Sequence, residues 1–279
     1  MLPLTDRPRA VFAALLCLLA AGCFLLPGKF ASELTVKRDG TFAFAYKGDI
    51  HVLALTKMAQ DEMDDKAKFE PQPCYDDQSG EERKCSADEL SVQRSNWGTE
   101  QEASKAKRKN DAEMMQKMLG GIDPSDPRAA DELAERMRKQ AGYRSVTYVG
   151  DGKFVVDFAI AGRLDHDFSF PTVEKLPVVT PFVAIFRRAD GSVRIDAPAF
   201  AASAAGGPLA GTATGMAGKD VPAGFPVLDG SFAVLTDGEI LANNTDDGPQ
   251  AGAGGLRRLA WKVTPRTASA PTALVQLNR

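Results

Sequence analysis

Recurrent Asp-Gly pairs flanked by apolar runs constrain the fold of this chain more than any other feature of its sequence. The clearest pair, Asp39-Gly40, stands between residues 34–36 and residues 42–46, where apolar and polar positions alternate. Such a pair favours a tight β-hairpin, because its residues tolerate the positive φ angles that the turn requires. The sequence therefore predicts an antiparallel sheet built from hairpins. Further pairs of this kind are found at 151–152, 190–191 and 237–238.

The segment that follows the first hairpin differs in composition. Residues 51–142 contain 35 charged residues out of 92, well above the 25% of the whole chain. A helix is expected over 53–68, and Ser86 with Glu89 forms a capping box that opens another. Strands before and after a helical segment predict an α+β fold, with this charged helical insertion between the N-terminal hairpin and the later strands.

Two further patterns describe the insertion. Residues 99–113 contain no large apolar side chain, which predicts a solvated helix or arm. Its basic run at 105–109 is suited to anionic headgroups, but a solvated charged face is the interpretation we favour. A last helix is expected after Pro127, with Ser125 or Asp126 as its N-cap.

The N-terminal segment predicts export from the cytoplasm. Two arginines precede an uncharged apolar run, Ala10–Gly22, which has the length of a signal-peptide core. The residues Leu19-Ala-Ala-Gly-Cys23 resemble the lipobox of bacterial lipoproteins, in which small residues precede a cysteine that receives diacylglycerol. The resemblance implies cleavage after Gly22 and lipidation of Cys23, with the leucine one place further from the cysteine than is commonest.

An uncleaved transmembrane anchor is the alternative. The charge-free stretch continues beyond Cys23 to Gly28, which gives 19 residues from Ala10, and about 20 apolar residues suffice to cross a bilayer. Both interpretations place residues 30–279 outside the cytoplasm, tethered to a membrane. Phe24 follows the cysteine where aspartate would favour inner-membrane retention, so the resemblance implies the periplasmic face of the outer membrane.

Cysteine usage agrees with export. Cys17 lies in the signal and Cys23 in the lipobox, which leaves Cys74 and Cys85 with ten residues between them. In an oxidising compartment such a pair is most simply a disulfide, with free thiols as the alternative. A redox-active pair would be closer in sequence, and a zinc site would need more ligands.

The expected domain organisation follows from these patterns. Residues 1–22 form the signal peptide, 23–29 a lipidated tether and 30–279 a single α+β domain. This domain contains the helical insertion at about 51–142 and a flexible loop, rich in glycine and alanine, at about 201–224.

Few patterns in the sequence point to chemistry. His166 lies between two aspartates, but neighbours in an extended segment face opposite ways, so a loop is preferred to a metal or catalytic site. His51, where the hairpin meets the insertion, is placed to bond a nearby carboxylate. Residues 243–248 are rich in oxygen ligands, yet they lack the spaced carboxylates of a calcium-binding EF-hand loop.

Common catalytic and nucleotide-binding motifs are also missing from the sequence. We therefore expect no catalytic residue, no metal site and no cofactor. A net charge of -3 and a pI of about 5.6 provide no basic surface for nucleic acid, which is not expected as a partner.

Three short pieces of the chain resemble a group of proteobacterial lipoproteins to which no activity is assigned. Their order is also similar to that in LppM-like lipoproteins, where a hairpin and a later Asn-then-Trp strand pair belong to one α+β domain. The resemblance identifies no functional residue. The pieces are Phe30–Phe42, Thr236–Thr245 and Leu259–Val263.

These observations predict a membrane-anchored envelope lipoprotein, a non-enzymatic binding or structural protein. Its expected partners are the membrane, through the N-terminal lipid, and an envelope protein or lipid. The alternative is a hydrolase-like periplasmic enzyme with a site assembled from distant carboxylates. A deep pocket ringed by ionisable groups would favour the enzyme, and an exposed apolar patch or lipid-sized groove would favour the binding protein.

Overall fold

A computed structural model of the protein describes residues 25–55, 68–76, 80–176, 180–202 and 226–277. The longer described helices are α1 (Ala87–Met118) and α2 (Ala129–Arg138). The described strands are β1 (Leu25–Val36), β2 (Thr41–Val52), β3 (Cys74–Tyr75), β4 (Glu82–Arg83), β5 (Tyr143–Tyr148), β6 (Lys153–Arg163), β7 (Phe168–Phe170), β8 (Val183–Arg187), β9 (Ser192–Asp196), β10 (Asp229–Thr236), β11 (Glu239–Asn243), β12 (Gln250–Ala251), β13 (Arg257–Val263) and β14 (Thr272–Gln276).

The first hairpin, β1 and β2, lies at the centre of a seven-stranded sheet with the order β12-β13-β10-β1-β2-β6-β5. Its neighbours are antiparallel except for β1 and β10, which are parallel. A second sheet, β11-β14-β9-β8-β7, is antiparallel throughout. The predicted α+β fold with hairpin-built antiparallel sheet is confirmed. The strands nevertheless divide between two large sheets, and the parallel pair joins distant parts of the chain.

Two of the Asp-Gly turns share one side-chain arrangement. The Oδ1 atom of Asp39 accepts the backbone N–H of Thr41 at 2.8 Å and its hydroxyl at 2.6 Å. Asp190 accepts the same two groups of Ser192 at 2.9 and 2.6 Å. These hydrogen bonds hold the pKa of both carboxyls below the ordinary value and fix the turns between β1 and β2 and between β8 and β9.

The Asp-Gly pair at 237–238 does not form a hairpin, so this prediction was wrong. The preceding strand, β10, belongs to the seven-stranded sheet, whereas β11 belongs to the second sheet. Asp237 accepts the backbone N–H of Arg38 at 2.7 Å, and a Cβ atom on Gly238 would come within 2.6 Å of the Val275 side chain. The pair marks a crossover, where glycine permits the close approach of two strands.

One hydrophobic core lies between the two large sheets. Phe44 and Tyr46 of β2 are fully buried, and their ring centroids lie 5.3 and 5.0 Å from that of Phe170 in β7. Leu133 and Met137 of α2 belong to the same core. The alternation predicted for β2 and the apolar face predicted for the last helix are therefore confirmed.

The helical insertion follows the first strands, as predicted, with one correction. The capping box of Ser86 and Glu89 opens α1, and the described side chains of α1 include no buried residue, in agreement with a solvated arm at 99–113. The N-cap of α2, however, is Arg128 without a capping side chain. Asp126 instead accepts the Arg128 backbone N–H at 2.8 Å within the preceding turn, because the helix begins later than Pro127 suggests.

Several predicted segments lie wholly or mainly outside the described residues. Of the helix expected over 53–68, residues 53–55 are helical and 56–67 are not described. The loop expected at 201–224 coincides with the undescribed residues 203–225 except at its start.

Candidate functional site

A cleft of about 270 Å³ opens on the outer face of the second sheet, where β9, β11 and β14 adjoin. The alternation of β9 explains the exposure of Arg194, because its neighbours Val193 and Ile195 are fully buried. The cleft is open and combines cationic and amide groups with short apolar side chains. Its lining consists of Arg188, Arg194, Ala242, Asn243, Asn244, Thr272, Ala273 and Leu274.

A carboxylate beside the cleft orients one of its cations. The Arg194 guanidinium lies 2.8 Å from the carboxylate of Asp196, which also accepts the Thr272 hydroxyl at 2.8 Å. The Arg194 side chain remains 60% exposed. An exposed ion pair stabilises a fold by about 0 to 1 kcal/mol, so its main effect is to fix the guanidinium at the edge of the cleft.

Asn244 connects the cleft to the other sheet. Its Oδ1 atom accepts the indole N–H of Trp261 at 3.0 Å and the backbone N–H of Thr272 at 2.9 Å. Its Nδ2 atom donates to the carbonyl of Ala270 at 2.8 Å. Because Trp261 lies on β13 and stacks on Phe232, Asn244 links the second sheet to the seven-stranded one. The Asn and Trp of the sequence resemblance thus form a structural contact.

Asn243, the first residue of the oxygen-rich segment at 243–248, stabilises a turn with its side chain. Asn243 accepts the backbone N–H of Thr245 at 3.1 Å and its hydroxyl at 2.5 Å, a common arrangement for Asx-rich turns. Among the described residues, no group of three or more His, Cys, Asp or Glu side chains is placed to hold a metal ion.

The two histidines lie apart from the cleft. His51 is at the end of β2, next to an ion pair in which Asp49 and Lys153 are 3.0 Å apart. Its Nδ1 atom is buried without a hydrogen-bond partner in the described part of the chain, and burial lowers the pKa of the imidazole. His166 is exposed in the turn between β6 and β7, which confirms the predicted loop.

The disulfide segment lies against the beginning of α1. The Sγ atoms of Cys74 and Cys85 are bonded at 2.02 Å, in agreement with the pairing expected from the sequence. The side chain of Gln93 on α1 exchanges two hydrogen bonds with the backbone of Gln72, at 2.9 and 3.2 Å. The short hairpin of β3 and β4 is therefore attached to the exposed helix.

The helix cap strengthens this attachment. Glu89 receives two hydrogen bonds from the Arg83 guanidinium, at 2.9 and 2.7 Å, and one from the backbone N–H of Ser86 at 2.7 Å. These bonds, those from Arg83 first, lower the pKa of Glu89 to about 2. The side chain consequently remains a carboxylate far below neutral pH.

The predicted cleavage and lipidation residues, Gly22 and Cys23, lie outside the described residues, three and two positions before the first residue of β1. β1 begins at Leu25, which pairs with Val52, and Leu26 is almost completely buried. The sheet thus takes in residues 25–29, which the sequence assigned to the tether. No described helix combines the length and apolar character needed to span a membrane.

The cleft residues were missed by sequence reasoning, because strands separated by up to 80 residues contribute to them. The alternation of Val193, Arg194 and Ile195 is a signal that indicates an outward-facing arginine, but nothing in it identifies the neighbouring strand.

Comparison with known proteins adds little to this site. No family model matches the chain, and no curated protein matches its sequence. A similar solved structure is the NMR structure of the folded domain of LppM from Mycobacterium tuberculosis, with 14% identity and a TM-score of 0.31 over 91% of each chain. The similarity is faint, and we transfer no residue role from it.

Proposed function

We propose that this protein is a lipid-anchored lipoprotein of the bacterial cell envelope. Gly22 is the last residue of its signal peptide, and Cys23 bears diacylglycerol at the mature N-terminus. Phe24 in the next position favours transfer to the periplasmic face of the outer membrane. The observation that carries the proposal is the position at which β1 begins.

The start of β1 shortens the segment that a membrane anchor would use. The apolar run extends from Ala10 to Gly28, but Leu25–Gly28 belong to β1 and are buried in the folded domain. Residues 10–24 remain, fifteen in all. As a helix they would measure about 22 Å, less than the ~30 Å hydrocarbon core of a bilayer. This length suits the core of a signal peptide better than a permanent anchor.

The disulfide supports the same compartment. Cys74 and Cys85 are joined, and such bonds persist in the periplasm and on cell surfaces but are rare in the cytosol.

Metabolic labelling with an alkyne fatty acid tests the lipid attachment. We expect label on the wild type and on Cys17→Ser, because Cys17 leaves with the signal peptide. We expect none on Cys23→Ser, which should accumulate as the longer, uncleaved precursor. Label retained by Cys23→Ser, or a wild type without label, would refute the assignment of Cys23.

For the folded domain we propose a role in recognition. The two arginines of the cleft suit an anionic group, a carboxylate or phosphate, of an envelope component. The polar groups beside them are engaged in structural contacts: Asp196 with Arg194 and Thr272, and Asn244 with Trp261. This arrangement favours binding over acid–base chemistry.

Photo-crosslinking in intact cells tests this role. A benzoylphenylalanine at Phe186, which faces outward beside Arg194, should form a discrete adduct. The same residue at Val155, exposed on the seven-stranded sheet, is the matched control. The proposal predicts an adduct from position 186 alone, lost when Arg188 and Arg194 are both replaced by alanine. An adduct that survives this double replacement would contradict it.

A further inference from the structure

We infer that one end of the seven-stranded sheet is held against the membrane surface. This end, which we call the Leu25 end, comprises the start of β1, the end of β2, the turn at residues 149–152 and the segment before β10. The inference rests on the proposed lipidation of Cys23. Its occupant is the phospholipid surface in which that lipid is embedded.

The length of the tether carries the inference. Only Phe24 separates Cys23 from the first residue of β1. Two residues span at most about 7 Å even when fully extended. Leu25 is held in the sheet, because it pairs with Val52 and its side chain is only 4% exposed, so it does not lengthen the tether. The folded domain must therefore remain within about one residue's reach of the lipid-bearing cysteine.

Exposed apolar side chains flank Leu25 on both sides. On one side the carbonyl of Gly152 accepts the backbone N–H of Val52 at 2.8 Å, which places the turn that contains Val149 at this end. Val149 is 52% exposed. On the other side β10 begins at Asp229, which pairs with Lys29 of β1, and Val227 stands two residues before it in the chain. Val227 is 56% exposed. Two exposed valines beside a lipid anchor suit the interface between headgroups and acyl chains.

The opposite end of the sheet is then far from the lipid. β1 contains 12 residues, and strands rise about 3.3 Å per residue, so the turn at Asp39 lies roughly 35 to 40 Å along the strand from Leu25. Trp261 is paired with Phe232, which is level with Ser32 of β1. Measured along β1, the cleft beside Asn244 accordingly lies about 20 Å from Leu25, on the side away from the lipid.

Fluorescent labelling of single cysteines tests this orientation. In the mature lipoprotein Cys23 carries lipid and Cys74 is bonded to Cys85, so an introduced cysteine is the free thiol. The variants are Val149→Cys, Val227→Cys and, as the distant control, Asp39→Cys. Each is purified as the lipidated protein and placed in vesicles of phosphatidylethanolamine and phosphatidylglycerol that contain a headgroup-nitroxide lipid.

We expect the nitroxide to quench the probes at 149 and 227 several-fold more than the probe at 39. Insertion of ten Gly/Ser residues between Phe24 and Leu25 should abolish this difference while the protein still floats with the vesicles. Equal quenching at all three positions, in protein that floats, would overturn the orientation alone. Protein that is not lipidated and does not float would instead refute the proposed function.

Discussion

Replacing Asn244 with alanine removes three hydrogen bonds at once. One of them connects the second sheet to the seven-stranded sheet, and another connects the end of β11 to the start of β14. The bonds are those to Trp261 at 3.0 Å, Thr272 at 2.9 Å and Ala270 at 2.8 Å. A protein hydrogen bond contributes about 1 kcal/mol net, and less where water replaces it easily. Because this site is partly open to solvent, we expect Asn244→Ala to lower the free energy of unfolding by about 2 kcal/mol.

The neighbouring residue provides a matched control. The Asn243 side chain bonds Thr245 within its own turn, and among the described residues it makes no side-chain hydrogen bond to another strand. We therefore expect Asn243→Ala to cost less than about 1 kcal/mol. For a chain of this size, 2 kcal/mol corresponds to a fall in Tm of roughly 4 to 8 °C.

Urea unfolding followed by Trp fluorescence and by circular dichroism measures both variants. Asn244→Asp keeps the acceptor oxygens and loses the donor to Ala270, so its stability should lie between those of the wild type and Asn244→Ala. Equal destabilisation by Asn244→Ala and Asn243→Ala would refute the structural link between the sheets.

Three further outcomes are expected. Phe44→Ala should lower the free energy of unfolding by about 3 to 5 kcal/mol, because its ring contacts Phe158, Phe168 and Phe170. Phe186→Ala on the outer face should lower it by less than about 1 kcal/mol, and similar values for the two variants would contradict the placement of the core. The folded pKa of Glu89 is about 2, below the ordinary 4.5, so its contribution to the cap is complete above pH 4.5 and is lost as the pH falls through 2. NMR titration of the Glu89 side chain checks this pKa, and a midpoint near 4.5 would exclude the cap. Replacing Cys74 and Cys85 together by serine should speed proteolysis between residues 74 and 85 and change the Tm of the main unfolding transition little, because this segment contacts α1 and Cys74 is not part of the core cluster. A large fall in that Tm would contradict this placement of the hairpin.

Local chemistry explains which parts of the fold the sequence predicted. The turn at Asp39 and the cap at Ser86 depend on residues two or three positions apart, and both follow from patterns of that length. The pair at 237–238 has the same local pattern but lies at a crossover. Its role depends on Arg38 and Val275, which no nearby residue reveals.

Long-range pairing explains what the sequence did not reveal. The parallel pairing of β1 and β10 joins Leu34 to Val234, and both strands have ordinary apolar alternation. The cleft likewise combines residues near 190, 243 and 273, so its cations are indistinguishable in the sequence from other surface arginines. The N-terminal pattern, by contrast, extends over a few consecutive residues, and its key residues Gly22 and Cys23 lie outside the described part of the chain.

The intact mass of the protein purified from membranes tests the proposed lipid anchor most directly. We predict a chain that begins at Cys23 and carries a diacylglyceryl group on that residue. Fragmentation should place the added mass on Cys23, and the Cys17→Ser variant should give the same product. A chain that retains residues 1–22, or one that begins at Cys23 without lipid, would contradict the proposal.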